Sequence, residues 1–293
     1  MLWVITGLFY GLFMSFYTYI NQNNKINGYV LGIWRGFGVA FACTPLILIT
    51  PFEADLTFFF LLIVQGIMTG FYDSRIFFSS ARYGAAGTSR ILVFSIPLSM
   101  VLWWLTHWKS FSLLLGRPLI LFIIILCVLL ILTSYYFMIK EPLSKELIHY
   151  MMPAVIIWSL MSSLTQIIMQ KHSLQEGIVY YLFYVTLISG FYNLTCLIKS
   201  KKITRKEFVF YVFNEKVLYI GFLVVLFSAL LIVSKGIALA YAPNTGYVNA
   251  LSLTSPLWIM LYNHVLKKKD FSSPKAGLCM IFAIFILCIV ANL

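Results

Sequence analysis

The sequence predicts an all-α polytopic membrane protein, with ten transmembrane helices arranged as two inverted five-helix repeats. Three observations predict it. The first is composition: 61% of the 293 residues are hydrophobic and 10% are charged, and the mean hydropathy is +0.94. A soluble domain carries roughly 25% charged residues. The second is segmentation. The apolar residues fall into runs near the ~20 residues that a helix needs to cross a hydrocarbon core, too long and continuous for barrel strands. The third is an internal echo. "YGAAGTSRILVFSIPL" (83–98) and "APNTGYVNALSLTSPL" (242–257) align without a gap, placing Gly87 on Gly246, Leu92 on Leu251, Pro97 on Pro256 and Leu98 on Leu257.

The spans are read at 2–20, 29–50, 57–80, 87–107, 118–138, 150–170, 177–198, 216–240, 246–266 and 276–292. The chain begins without a basic leader or a small-residue cleavage site, so the first span is expected to serve as its own insertion signal. Connections are short, apart from "KSKKITRKEFVFYVFNEK" (199–216), which suits an amphipathic interfacial segment or a solvated loop. The echo joins spans three to four and spans eight to nine, so the repeats divide at 1–140 and 141–293. Five is odd, and the second repeat therefore enters the bilayer upside down. Inverted repeats about a central pseudo-two-fold axis suit a secondary transporter, because they provide two pseudo-equivalent openings.

The net charge of +12 does not point to nucleic acid. Most basic residues lie in short loops, where they set topology. One side holds Lys25, Arg82, Lys140, Lys145, Lys199, Lys201, Lys202, Arg205, Lys206, Lys216, Lys267, Lys268, Lys269 and Lys275, and the other holds Lys109, Arg117 and Lys171. By the positive-inside rule the first side is cytoplasmic and both termini face outward. Cys43, Cys127, Cys196, Cys279 and Cys288 sit in apolar runs without metal-ligand spacing, which reads as reduced, buried thiols. His107, His149, His172 and His264 are scattered at span ends. Neither a metal site, a cofactor motif nor an enzyme signature is legible, so transport would run on gradients or exchange.

Five charged residues lie inside spans: Arg35, Asp73, Arg75, Arg90 and Lys235. An intramembrane charge marks a functional site by default. Arg35, Arg75 and Arg90 lie near helix ends on one side, and with Asp73 they are expected to share a layer that grips a carboxylate or phosphate. Lys235 is expected nearer the opposite face. The competing reading is snorkelling or structural pairing. Asp73 is too short to snorkel, which leaves an ion pair or a proton-coupling site.

Within the echo, Thr245, Asn249, Ser252 and Pro256 follow i, i+4, i+7, i+11 spacing and share a face. The matching positions are Ala86, Arg90, Val93 and Pro97. This face is expected to line a polar pathway with Arg90 opposite. The alternative is that its small polar side chains glue helices together. Pro97, Pro256, Gly87 and Gly246 are hinge candidates. Weaker polar rows are Gln65, Thr69 and Asp73; Trp158, Ser162 and Gln166; and Thr6, Tyr10 and Tyr17. Trp3, Tyr17, Trp103, Trp104, Tyr180 and Tyr181 are expected in interfacial belts.

The Arg in "IWRGFG" (Arg35) and the "AYAPNTGY … SPLW" pattern entering span nine resemble the drug/metabolite transporter superfamily, specifically its EamA-type ten-helix members, over the whole chain. Two features depart from that pattern. The Gly-Glu pair many members carry after helix four or nine is replaced by "THWKSF" and "NHVLKKKDF". The family's habit also places both termini in the cytoplasm, against the charge count. The resemblance implies a cofactor-free exporter or exchanger of small metabolites.

The sequence reading is thus a monomeric, multi-pass protein of a bacterial cytoplasmic (inner) membrane. Its partners are membrane lipids and a small polar solute with an anionic group, an amino acid or related carboxylate first. Arg90, Asn249, Ser252, Thr245, Arg35, Arg75 and Lys235 are the candidate contacts. An organophosphate or nucleotide-conjugate exchanger is the alternative, followed by a lipid-carrier flippase or a non-transport membrane protein.

Overall fold

A computed structural model describes residues 2–51, 56–138, 144–201, 205–265 and 273–292. Every regular element among them is a helix. In chain order these are α1 (Leu2–Asn24), α2 (Gly28–Ile49), α3 (Leu56–Leu92), α4 (Ser95–Thr106), α5 (Trp108–Leu115), α6 (Pro118–Met138), α7 (Lys145–Lys171), α8 (Leu174–Ser200), α9 (Arg205–Phe213), α10 (Glu215–Tyr241), α11 (Thr245–Ser252), α12 (Ser255–Val265) and α13 (Pro274–Val290). The division between 140 and 141 lies outside the described residues, as do Lys140, Lys202, Lys267, Lys268 and Lys269.

Local chemistry explains where the helices begin. The side chains of Asn27, Ser144, Ser173, Asn214 and Asn244 each accept a hydrogen bond from a backbone N–H in the first turn. At Ser173 the reciprocal bond from Glu176 completes a capping box. Such caps satisfy N–H groups that have no intrahelical acceptor.

Among the described residues seven helices are long and apolar enough to cross a membrane: α1, α2, α3, α6, α7, α8 and α10. Their outward side chains are apolar, with Phe41 81% and Leu48 79% exposed. In water such a surface would associate; against lipid it is at home. The chain is a multi-pass membrane protein. The stretches read as spans four, nine and ten form shorter helices. Breaks at Val93–Phe94 and Leu253–Thr254 separate helical segments, and Pro97 and Pro256 sit in the first turn after each. A proline ring clashes with the carbonyl four residues back, here those of Val93 and Ser252, so the helix resets just beyond them.

Spans three and four meet inside α3 at a sharp bend, where Gly84 leaves the helical path with φ +81° and ψ 158° and separates two helical segments, a backbone open to glycine alone. Gln22 Oε1 accepts from Ala85 N at 2.9 Å and holds that bend against α1. The glycines named as hinges sit elsewhere. A Cβ on Gly246 would lie 1.9 Å from Met100 Cγ, so this glycine serves close packing; at Gly87 it would meet Leu147 Cδ2 at an ordinary 3.4 Å. Within the 199–216 connection, Arg205–Phe213 form a helix.

Both α2 and α8 contain one wide turn, Trp34–Gly38 and Tyr181–Val185. These π-type turns shift the register of side chains after them. The two helices cross with backbones touching: a Cβ on Gly36 would lie 2.3 Å from Gly190 Cα. Elsewhere α1 packs chiefly along α10, α3 along α7, α6 along α13, and α4 against α11.

Candidate functional site

Polar side chains buried in the bundle form two distinct clusters. The first surrounds a closed cavity of about 30 Å³ between α1, α2, α3, α7, α8 and α10. Tyr10, Met14 and Tyr17 reach it from one face of α1. Arg35 and Tyr181 reach it from the wide turns of α2 and α8. Tyr72 and Asp73 come from α3, Trp158, Met161 and Thr165 from α7, and Leu231, Ile232 and Lys235 from α10. All are buried. The void has room for one or two water molecules.

Arg35 Nη1 lies 2.5 Å from Asp73 Oδ2, and Tyr17 Oη donates to Asp73 Oδ1 at 2.9 Å. A carboxylate held this way in a low-dielectric interior offsets one cation only. Lys235 is the second. It is 5% exposed and has neither an ion pair nor a hydrogen bond among the described residues. Its Nζ stands 6.0 Å from the Tyr10 ring centroid, at the outer limit of a cation–π contact. The sequence offers no other intramembrane acid: the remaining carboxylates lie at helix starts or in connections. The cavity therefore carries one excess positive charge when both basic groups are protonated.

Donors are in excess as well. Tyr72 Oη and Trp158 Nε1 make no hydrogen bond; the indole N–H lies beside the Tyr10 phenol without closing one. The cavity is stopped at both ends. Toward the end holding Leu2, Gln65 Nε2 donates to Thr165 Oγ1 at 3.0 Å and to Tyr181 Oη at 3.1 Å. Beyond them Phe58, His172 and Tyr180 stack edge to face, and Tyr180 Oη donates to Pro51 O. Toward the other end Tyr17 packs on Phe77 at 4.8 Å, and Asn21 Nδ2 donates to Ile26 O and Phe77 O, each at 2.9 Å.

The second cluster is a seam between α4, α7 and α11. Asn249 Nδ2 donates to Ser99 Oγ at 2.9 Å, and Asn249 Oδ1 accepts from Ser162 Oγ at 3.1 Å. Thr245 Oγ1 donates to Ser99 O at 3.4 Å, and Ser252 Oγ to Asn249 O at 2.7 Å. Gln166 accepts from Trp103 Nε1 at 2.8 Å and donates to Ala242 O at 3.1 Å. Each of these amide groups has a protein partner.

The structure thus sorts the residues named from sequence. Arg35, Asp73 and Lys235 meet around one cavity, although Lys235 was expected nearer the opposite face. Asn249, Ser252 and Thr245 lie in the seam rather than on the cavity: Ser99 and Ser162 take up the bonds of Asn249 and Thr245, and the Ser252 hydroxyl turns back to the carbonyl of Asn249. The expected layer of three arginines does not assemble. Arg75, two residues from Asp73, points about 200° away around the helix. Its guanidinium is sandwiched 4.8 and 4.5 Å from the Phe71 and Tyr150 rings and donates to Tyr150 O at 2.6 Å. Arg90, beyond the Gly84 bend, is buried beside Tyr135 of α6.

The belt expectation is also corrected. Trp3, Tyr17, Trp103, Tyr180 and Tyr181 are buried, because their rings pack between helices. The weaker rows held better candidates in Tyr10, Tyr17, Asp73 and Trp158. Tyr72, Thr165 and Tyr181 were missed as cavity residues; the only signal for Tyr72 was its place beside Asp73. No family model matches this chain, and no curated protein does either.

Proposed function

We propose that the protein is a secondary-active transporter for a small solute bearing an anionic group, an amino acid or related carboxylate first. It would work by alternating access in the manner of the drug/metabolite transporters it resembles, in a cytoplasmic membrane. The observation that carries this reading is Lys235, a buried amine with neither an ion pair nor a hydrogen bond among the described residues, facing a cavity where Arg35 already pairs with Asp73 and donors are unused. A buried unpaired charge is costly, and a protein retains one where a ligand completes it. A carboxylate would supply the missing anion and accept from Tyr72 and Trp158.

The reading of two inverted repeats has support beyond the sequence echo. Exchanging the halves maps the α1–α10 packing onto the α7–α3 packing. It also maps the wide turn of α2 onto that of α8, and the break before Pro97 onto the break before Pro256. Pseudo-symmetric halves of this kind can rock about a central site. The closed cavity is smaller than any amino acid, so entry requires the Tyr17–Phe77 plug or the Gln65–Tyr181 plug to part. A solute drives transport only if it favours one of these states over another.

The test is counterflow in proteoliposomes preloaded with mixed unlabelled metabolites, comparing labelled carboxylates, sugar phosphates and organic cations. The expected result is exchange of an anionic class that disappears in Lys235→Met. Exchange of cations alone, or anion exchange indifferent to Lys235→Met, would overturn the reading.

A further inference from the structure

A second opening lies apart from the central cavity, at the end of the bundle that holds Leu2. It is a cleft of about 320 Å³ between the end of α4, α5, the start of α6, the connection into α11 and the end of α13. The Trp103–Gln166–Ala242 bonds of the seam stand between it and the central site. Its wall is apolar along Leu113, Ile120 and Ile124, and its mouth carries Arg117 and Ser110.

Two further features point to a ligand. Asn244 lines the cleft and is 2% exposed. Its Oδ1 accepts from Gly246 N at 2.7 Å, while its Nδ2 makes no hydrogen bond. The short helix α5 also lies on the surface with Trp108 60% and Leu113 75% exposed, the habit of a segment lying in the membrane interface. Of the three basic residues on this side, Lys109 lies in the first turn of that helix and Arg117 just beyond its end. Polar donors at the mouth and a hydrocarbon wall below match an amphiphile with an anionic head.

We propose that this cleft binds one phospholipid, with its phosphate at Arg117 and the Asn244 amide and an acyl chain along Leu113, Ile120 and Ile124. A guanidinium grips a phosphate through paired charge-assisted bonds, and a lipid at this depth needs no route through the bundle. The site is independent of the transport reading.

The test is native mass spectrometry of the full chain released from detergent after titration with dioleoyl phosphatidylglycerol, dioleoylglycerol or glycerol phosphate. One phosphatidylglycerol per chain is expected to be retained, with dioleoylglycerol and glycerol phosphate each failing to displace it. Arg117→Gln should weaken retention about tenfold. Ser110→Trp, which fills the cleft from an exposed position without removing charge, should abolish it. Both positions are exposed, and circular dichroism checks that helix content is unchanged. Retention that survives Arg117→Gln overturns the phosphate contact, and retention that survives Ser110→Trp overturns the cleft. Displacement by glycerol phosphate overturns the lipid in favour of a soluble anion.

Discussion

The central cavity and the α4–α7–α11 seam are built from similar materials and do opposite things with them. Both are buried, and both draw polar side chains from helices far apart in sequence. In the seam each amide of Asn249 and Gln166 finds a protein partner. In the cavity the Tyr72 hydroxyl and the Trp158 indole N–H are left without hydrogen bonds, and Lys235 forms no ion pair among the described residues. A satisfied network rigidifies a core, whereas an unsatisfied one costs stability. The difference between the clusters is not polarity but completion, and completion separates a fastening from a site.

The largest test of that contrast is Asp73→Ala. It removes the one carboxylate that lines the cavity among the described residues and leaves Arg35 beside Lys235. Loss of one partner from a buried pair costs about 3–5 kcal/mol, so the variant should unfold at much lower temperature in detergent and should not transport. Arg35→Gln combined with Asp73→Asn removes both charges and should recover most of that stability, because a neutral pair strands no ion. Failure of the double variant to recover would mean that the pair anchors the bundle by geometry rather than charge.

Lys235→Met should separate stability from function. Methionine keeps the length of the side chain and removes a buried basic group that forms no ion pair among the described residues. Thermal stability should hold or rise, while affinity for the transported anion falls about tenfold or more, the worth of a charge-assisted hydrogen bond. A drop in stability comparable to that of Asp73→Ala would place Lys235 among the structural groups and erase the contrast with the seam. In the seam Asn249→Ala should do the reverse. It removes the two bonds that tie α4 to α7 through α11, leaving Ser99 and Ser162 only the carbonyls of their own helices, and should cost about 1 kcal/mol, with solute affinity unchanged in the folded fraction.

How far the sequence reached follows from the same distinction. The long spans were legible because hydropathy over ~20 residues reports burial in lipid directly. Intramembrane charge drew attention to Arg35, Asp73 and Lys235, but their meeting depends on the crossing of α2, α3 and α10, which no local spacing encodes. The i, i+4, i+7 row of Thr245, Asn249 and Ser252 told that something polar faces α11. It did not tell whether that something was a solute or Ser99. The wide turns at Trp34–Gly38 and Tyr181–Val185, which bring Arg35 and Tyr181 to the cavity, leave no trace in hydrophobic periodicity. The belt reading of Tyr17 and Tyr181 failed because an aromatic residue near a span end packs equally well inward.

The finest test matches one oxygen against another. Tyr72→Phe and Ser162→Ala each delete a single buried hydroxyl. The Ser162 hydroxyl donates to Asn249 Oδ1 at 3.1 Å, and its loss leaves that carbonyl buried without a donor, at about 1 kcal/mol. The Tyr72 hydroxyl has no partner to strand, and phenylalanine spares the cost of keeping it dry. Ser162→Ala should therefore lower the melting temperature and leave counterflow unchanged. Tyr72→Phe should leave the melting temperature the same or higher and slow counterflow by about threefold, the lower end of a hydrogen bond's net worth. Equal losses of stability in the two variants would show that the Tyr72 hydroxyl is satisfied in the membrane, and the cavity would then be a second seam.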